Sequence, residues 1–149
     1  MKAELIACFQ DTLGVSENKL RDNTLFSANS NKVYKEKYVA NRHKDKTASI
    51  SVYSGTSFDI ARNFLEYGKI AVLNFANPEN PGGGVSNGAM AQEECLCRSS
   101  NLYSCINNEN VFDQYYGYHR RLKNYFFSDR LIYTKDVLVF KDDNVIPKL

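Results

Sequence analysis

Two adjacent carboxylates, Glu93 and Glu94, follow a glycine triplet, Gly82-Gly83-Gly84, in a segment that opens Asn74-Phe75-Ala76-Asn77-Pro78-Glu79-Asn80-Pro81. Carboxyl groups held beside a ligand can give and take protons. Glycines lacking Cβ let backbone N–H groups approach that ligand closely, and amides at a helix start are natural anion donors. Together these residues describe a site for a polar, phosphate-bearing ligand with proton chemistry next to it.

Each feature also has a plainer reading. A glycine triplet alone is a surface turn. Acids in a first helical turn favour the helix dipole, and Glu94 with Arg98 has the spacing of an i, i+4 ion pair. For the acids, spacing alone leaves both readings open; for the triplet, position favours a ligand site, since the loop follows an apolar run, Ile70-Ala71-Val72-Leu73, and precedes a helix-like segment. In α/β sheets such a junction is the usual ligand crevice. The loop is not G-x-G-x-x-G and no Lys-Ser/Thr follows it, which excludes a P-loop.

The elements that must position these residues are read from periodicity. Leu5, Ile6, Phe9 and Leu13 give residues 2–13 the stripe of an amphipathic helix, with Gly14 as its stop. Residues 33–39 alternate as an edge strand, and 49–53 read as a second strand. Thr56 or Ser57 caps a helix carrying Ile60, Ala61, Phe64 and Leu65, closed by Gly68. Residues 70–75 form an almost continuous apolar run, the pattern of a strand buried on both faces. Residues 89–106 read as one helix with Leu96, Ser99, Ser100, Tyr103 and Ile106 on a stripe. The aromatic stretch 110–127 reads as mixed helix and loop over the core, 131–133 and 137–140 as strands, and 141–144 as a charged end leaving the core. Helix, strand, loop and helix in this order predict an α/β fold.

The order Asn77 to Gly84 and then Gln92-Glu93-Glu94 resembles the signature of the microbial-type poly(ADP-ribose) glycohydrolases, whose catalytic domain is a variant of the macrodomain. The resemblance extends to Val72-Leu73-Asn74-Phe75-Ala76, to Cys95-Leu96-Cys97-Arg98, to Tyr115-Tyr116 with His119-Arg120, to Ser128-Asp129-Arg130-Leu131-Ile132-Tyr133 and to 136–140. It implies a macrodomain-like, three-layer α/β/α fold with a mixed sheet, forming a single domain over 1–149. Family domains look longer, so the chain reads as truncated at its C-terminus, lacking later strands, a second glycine-rich loop and much of the adenine pocket. The implied activity is hydrolysis of the ribose–ribose O-glycosidic bond of poly(ADP-ribose), free or on ADP-ribosylated proteins, with ADP-ribose as product and no cofactor. By the resemblance Glu94 is the catalytic acid and Glu93 holds hydroxyls of the adjoining ribose. Asn77, Gly82, Gly83, Gly84 and Gln92 bind ligand. The other readings are an ADP-ribose-binding module and a non-catalytic fragment.

Neighbouring helical residues point about 100° apart and cannot face one another across a sugar, as the carboxylate pair of most glycosidases does. One carboxylate must then serve as acid and afterwards as base. A helix N-terminus favours its ionised form, so burial or the ligand's phosphates must hold the proton in place.

At 149 residues and 43% hydrophobic the chain suits one domain with its own core. A formal charge of +2 compels no nucleic-acid or membrane partner. The basic cluster Lys32, Lys35, Lys37, Arg42, His43, Lys44 and Lys46 reads as a solvated connection. Cys8, Cys95, Cys97 and Cys105 lack zinc-site spacing and read as reduced, buried thiols, Cys97 and Cys105 sharing a helix face. His119 reads as packed or surface, His43 as bland, and no metal is expected. An early acid, Glu4, and no long apolar window predict an intracellular, soluble protein.

Overall fold

The computed structural model describes residues 1–35, 47–122, 126–142, 144 and 146–148. The second half of the expected edge strand and most of the basic cluster, His43 included, fall outside these residues.

Helix α1 spans Lys2–Gly14 and buries Leu5, Cys8, Phe9 and Thr12. Gly14 does not stop it: the chain continues through a wide turn, Val15–Lys19, into α2, Arg21–Asn29. Gly14 is helical here, and the side chains of Thr12 and Ser16 each bond a carbonyl four residues back, which carries the winding on. Strand β1, Lys32–Tyr34, pairs antiparallel with β2, Leu131–Tyr133, and these two form the sheet among the described residues. The content is therefore α/β, with a smaller sheet than expected.

Three expected strands are absent for one reason, the lack of a ladder partner among the described residues. Residues 49–53 are exposed and unpaired. Residues 70–75 lie unladdered rather than doubly buried, with Leu73 71% and Phe75 72% exposed. Residues 137–140 contribute a single bridge, Val139 to Ser100.

Helix α3, Ser57–Arg62, starts where Thr56 Oγ1 accepts from the Asp59 amide, as its sequence position implies. It ends before Gly68, which instead follows a tight turn over Leu65–Tyr67. The expected helix over 89–106 is broken into α4, Gln92–Ser99, and α5, Leu102–Ile106. Ser100 is extended, and its hydroxyl donates to the Leu96 carbonyl while accepting from the Leu102 amide. Asn101 then exchanges two bonds with Leu138, one through its side chain. The break lets the chain at 138–141 dock on the end of α4.

Helix α6, Glu109–Val111, a wide turn over Phe112–Tyr116 and α7, Gly117–Leu122, make the helical cover expected of the aromatic stretch. Phe9, Phe58, Val85, Leu96, Cys97, Leu102 and Ile106 form the main core, and Val111, Tyr115 and Tyr116 a second cluster. Ile132 packs against both. The thiols of Cys8, Cys97 and Cys105 are buried, although the helix break removes the shared face of the last two. Lys141 does not leave the core: it is 3% exposed, and its ammonium meets Asp11 at 2.7 Å and the Cys8 carbonyl at 3.2 Å. Burying the lysine stem against α1 is possible because this carboxylate waits at the surface.

Candidate active site

The loop 77–84 is folded by its own side chains before it meets α4. Asn77 Oδ1 accepts from the amides of Glu79 and Asn80, a local turn of the kind asparagine favours. The Asn80 carbonyl then accepts from Gly83, and Gly82 from Val85, whose side chain plugs the main core. Gly82 and Gly83 have φ of 65° and 57°, left-handed backbone that a side chain would strain.

Helix α4 aims both of its first-turn acids at this loop. Glu93 is 3% and Glu94 6% exposed. Glu93 Oε2 accepts from the Asn77 amide at 2.7 Å and Oε1 from Asn74 Nδ2 at 3.3 Å. Glu94 Oε1 accepts from the Gly84 amide at 2.8 Å, whereas its Oε2 is buried with no partner. A Cβ built on Gly83 would lie 2.5 Å from Glu94 Oε1 and 3.3 Å from Glu93 Oε2, so the two carboxylates flank this glycine despite their angular separation on the helix. Burial pushes the Glu93 carboxyl above its usual range; the Asn77 and Asn74 bonds pull the other way, the Glu94 charge adds to the rise, and the Gly82 amide opposes it.

Glu94 and Arg98 form no ion pair. Arg98 is fully buried and donates to the Ala89 carbonyl and to Cys95 Sγ instead, bracing the segment that leads into α4. The sequence residues Asn77, Gly82, Gly83, Gly84, Glu93 and Glu94 are thus brought into one place. Gln92 is turned away from them: its side chain accepts from the Phe75 amide and donates to the Leu73 carbonyl, as a strand neighbour would, and reaches Ser57 Oγ at 3.3 Å. That hold presents Asn74 to Glu93. A cavity of about 420 Å³ opens beside Gln92, between α3 and the run 70–75.

The sequence of this site matches a family model, the catalytic domain of microbial-type poly(ADP-ribose) glycohydrolase, over residues 8–142. The chain belongs to that family. The structure superposes on poly(ADP-ribose) glycohydrolase from Thermomonospora curvata with a TM-score of 0.77 at 28% identity, covering 97% of this chain and 59% of that one. With the same bacterium's enzyme bound to the inhibitor ADP-HPD the values are 0.75, 30%, 96% and 57%. With the enzyme from Deinococcus radiodurans in complex with ADP-ribose they are 0.67, 27%, 83% and 55%. The chain therefore spans less than two thirds of the length of these relatives. No curated protein sequence matches it.

Sequence reasoning passed over two residues that touch this cluster, Asn74 and Arg120. Asn74 ends the apolar run and faces Glu93, a placement that the polar residue closing a strand-like segment could have signalled. Arg120, on α7, donates to the Glu79 carbonyl and to Asn80 Oδ1, and no spacing in the sequence announces that contact across 40 residues. His119 beside it is buried, ringed by Tyr115, Tyr118 and Phe127, with Nε2 2.9 Å from Ser128 Oγ. Burial holds its imidazole below the ordinary range. Among the described residues no group of three or more metal-ligating side chains gathers, and no helix is long and apolar enough to cross a membrane.

Proposed function

We propose that the chain is the part of a poly(ADP-ribose) glycohydrolase domain that carries the reacting carboxylate, Glu94. The observation that carries this reading is the asymmetry of Glu94: one oxygen is fixed by the Gly84 amide and the other is buried and unpartnered. Protonated Oε2 donates to the 2′-oxygen leaving the ribose–ribose bond as an oxocarbenium-like centre develops at the anomeric carbon. The carboxylate then takes a proton from the attacking water, which completes hydrolysis and releases ADP-ribose. Glu93, whose oxygens keep lone pairs beyond the bonds they accept, takes ribose hydroxyls. Asn77 contributes its side-chain amide N–H groups, its Oδ1 being committed to the loop. Gly82 to Gly84 give the ligand close approach to the loop backbone, and Gln92, whose side chain is committed to Leu73 and Phe75, supports the site through the Asn74 that it presents to Glu93. The partners are poly(ADP-ribose) and ADP-ribosylated proteins, as the Deinococcus enzyme's complex with ADP-ribose suggests for the product. Residues 1–149 belong to one domain, whose whole we propose to be the three-layer α/β/α arrangement with a mixed sheet.

Glu94→Gln tests the assignment. It preserves shape and removes the proton, so release of ADP-ribose from polymer should fall by roughly 10²–10⁴ while ADP-ribose binding by calorimetry stays within a few-fold. Turnover within about threefold of wild type would remove Glu94 from the mechanism.

The exposed run 70–75 favours a second reading, in which the chain binds ADP-ribose without turning polymer over unless another segment covers that run. Binding of ADP-ribose by the wild type with no release from polymer would select it.

A further inference from the structure

Arg120 occupies the only position among the described residues from which a cation bonds the loop 77–84 by side chain. Its Nε donates to the Glu79 carbonyl at 2.9 Å and its Nη2 to Asn80 Oδ1 at 2.7 Å, while its guanidinium lies 4.9 Å from the centre of the Phe112 ring. Phe112 itself packs on the second core cluster, so the fork is braced from behind. From the two clamped residues, paths run to both carboxylates. The Glu79 and Asn80 amides hold Asn77 Oδ1, and the Asn77 amide holds Glu93. The Asn80 carbonyl holds the Gly83 amide, and the next amide, Gly84, holds Glu94.

We infer that Arg120 is a positioning residue that ties α7 to the glycine loop and thereby sets the placement of both Glu93 and Glu94. The inference rests on the proposed glycohydrolase reading. Two acceptors met by Nε and Nη2 suit the rigid fork of a guanidinium better than an ammonium, whose three donors sit on one point at the end of a flexible stem. Arg120 is exposed, so its loss leaves the core intact. Its effect is expected in the loop, where a displacement near 1 Å is enough to cost about 10²-fold in rate.

The test uses the whole chain with R120A, R120K and N80A. Thermal melts of all three should stay close to wild type. For polymer hydrolysis, R120A should lower kcat by roughly 10- to 100-fold with KM within about threefold, and R120K should recover only part of it. Added alkylguanidinium should restore R120A but not wild type. R120A and N80A together should cost little more than R120A alone, since both break one fork. Hydrogen exchange, read without ligand, should show the Gly83 and Gly84 amides losing protection in R120A. A kcat within about threefold of wild type overturns the inference. So does a fall in kcat with Gly83 and Gly84 still protected, which would place Arg120 directly on the ligand. If the wild type neither binds ADP-ribose nor hydrolyses polymer, the functional reading fails and exchange alone decides the clamp.

Discussion

Replacing Gly83 by alanine asks whether the triplet serves the carboxylates. The new Cβ would sit 2.5 Å from Glu94 Oε1, which must retreat by about 1 Å to reach an ordinary contact near ~3.5 Å. That oxygen cannot retreat freely, because it accepts the Gly84 amide bond at 2.8 Å and its side chain is buried. A displacement of this size in a reacting group is worth about 10²-fold in rate, or roughly 2.7 kcal/mol of barrier. The backbone adds its own cost: φ of 57° strains alanine by roughly 1–2 kcal/mol, a fall of about 2–8 °C in Tm for a chain of this size. Gly82→Ala is the control. It carries the same strain at φ 65°, but its Cβ would meet Tyr103 at 2.7 Å and Cys97 Sγ at 3.3 Å. Gly82→Ala should therefore lose more Tm, and Gly83→Ala more turnover per degree lost. Release of ADP-ribose from polymer, measured beside thermal melts, separates the two. A folded Gly83→Ala protein with wild-type kcat would refute the argument, since Glu94 would then tolerate a displaced oxygen.

Two further outcomes follow from buried charge. Because burial holds Glu93 above its reference of 4.5, the folded protein binds that proton more tightly than the unfolded chain; the contribution is fully present below 4.5 and is lost as pH rises through the folded value. The Tm of Glu93→Gln relative to wild type should accordingly rise between pH 4.5 and neutrality, and a flat or falling difference contradicts the assigned burial. Removing Asp11 by Asp11→Asn leaves the Lys141 ammonium buried without its carboxylate and should cost about 1–2 kcal/mol in urea unfolding, discounted because Asp11 is largely exposed, whereas Lys141→Met should be nearly neutral.

What was legible in the sequence was the order of residue types around the site. Asn77, the triplet and the paired acids announce themselves by identity and spacing, and the structure puts them in contact. The inward direction of the loop amides was not legible, because whether an N–H faces a ligand or a carboxylate of its own chain depends on tertiary closure. The run 70–75 misled for a related reason. Apolar content predicts burial only where something covers it, and here Gln92 supplies the strand-like bonds that no strand provides. Ser99 and Ser100 looked like the small face of one long helix. The Ser100 hydroxyl instead ends α4 and starts α5, a choice that periodicity cannot see. Gly14 looked like a stop, yet glycine ends a helix by turning left-handed itself, and Gly14 stays right-handed with φ of -57°.

The joining of α1 to the far end of the chain sets a timetable for biosynthesis. Lys141 reaches Asp11 and Cys8 across a separation of 133 residues from the latter, and the Cys8 thiol reaches the Pro147 carbonyl across 139. At ribosomal rates of about 5–20 residues per second, that side of α1 waits roughly 7–28 s after its own synthesis for its last partners. During that interval Cys8 and its neighbours on the helix are open to solvent, to thiol reagents and to chaperones. Helix α1 is therefore made long before the residues at 141 and 147 that close this side of it, and a nascent chain stalled before residue 141 would leave the Cys8 side of the helix open.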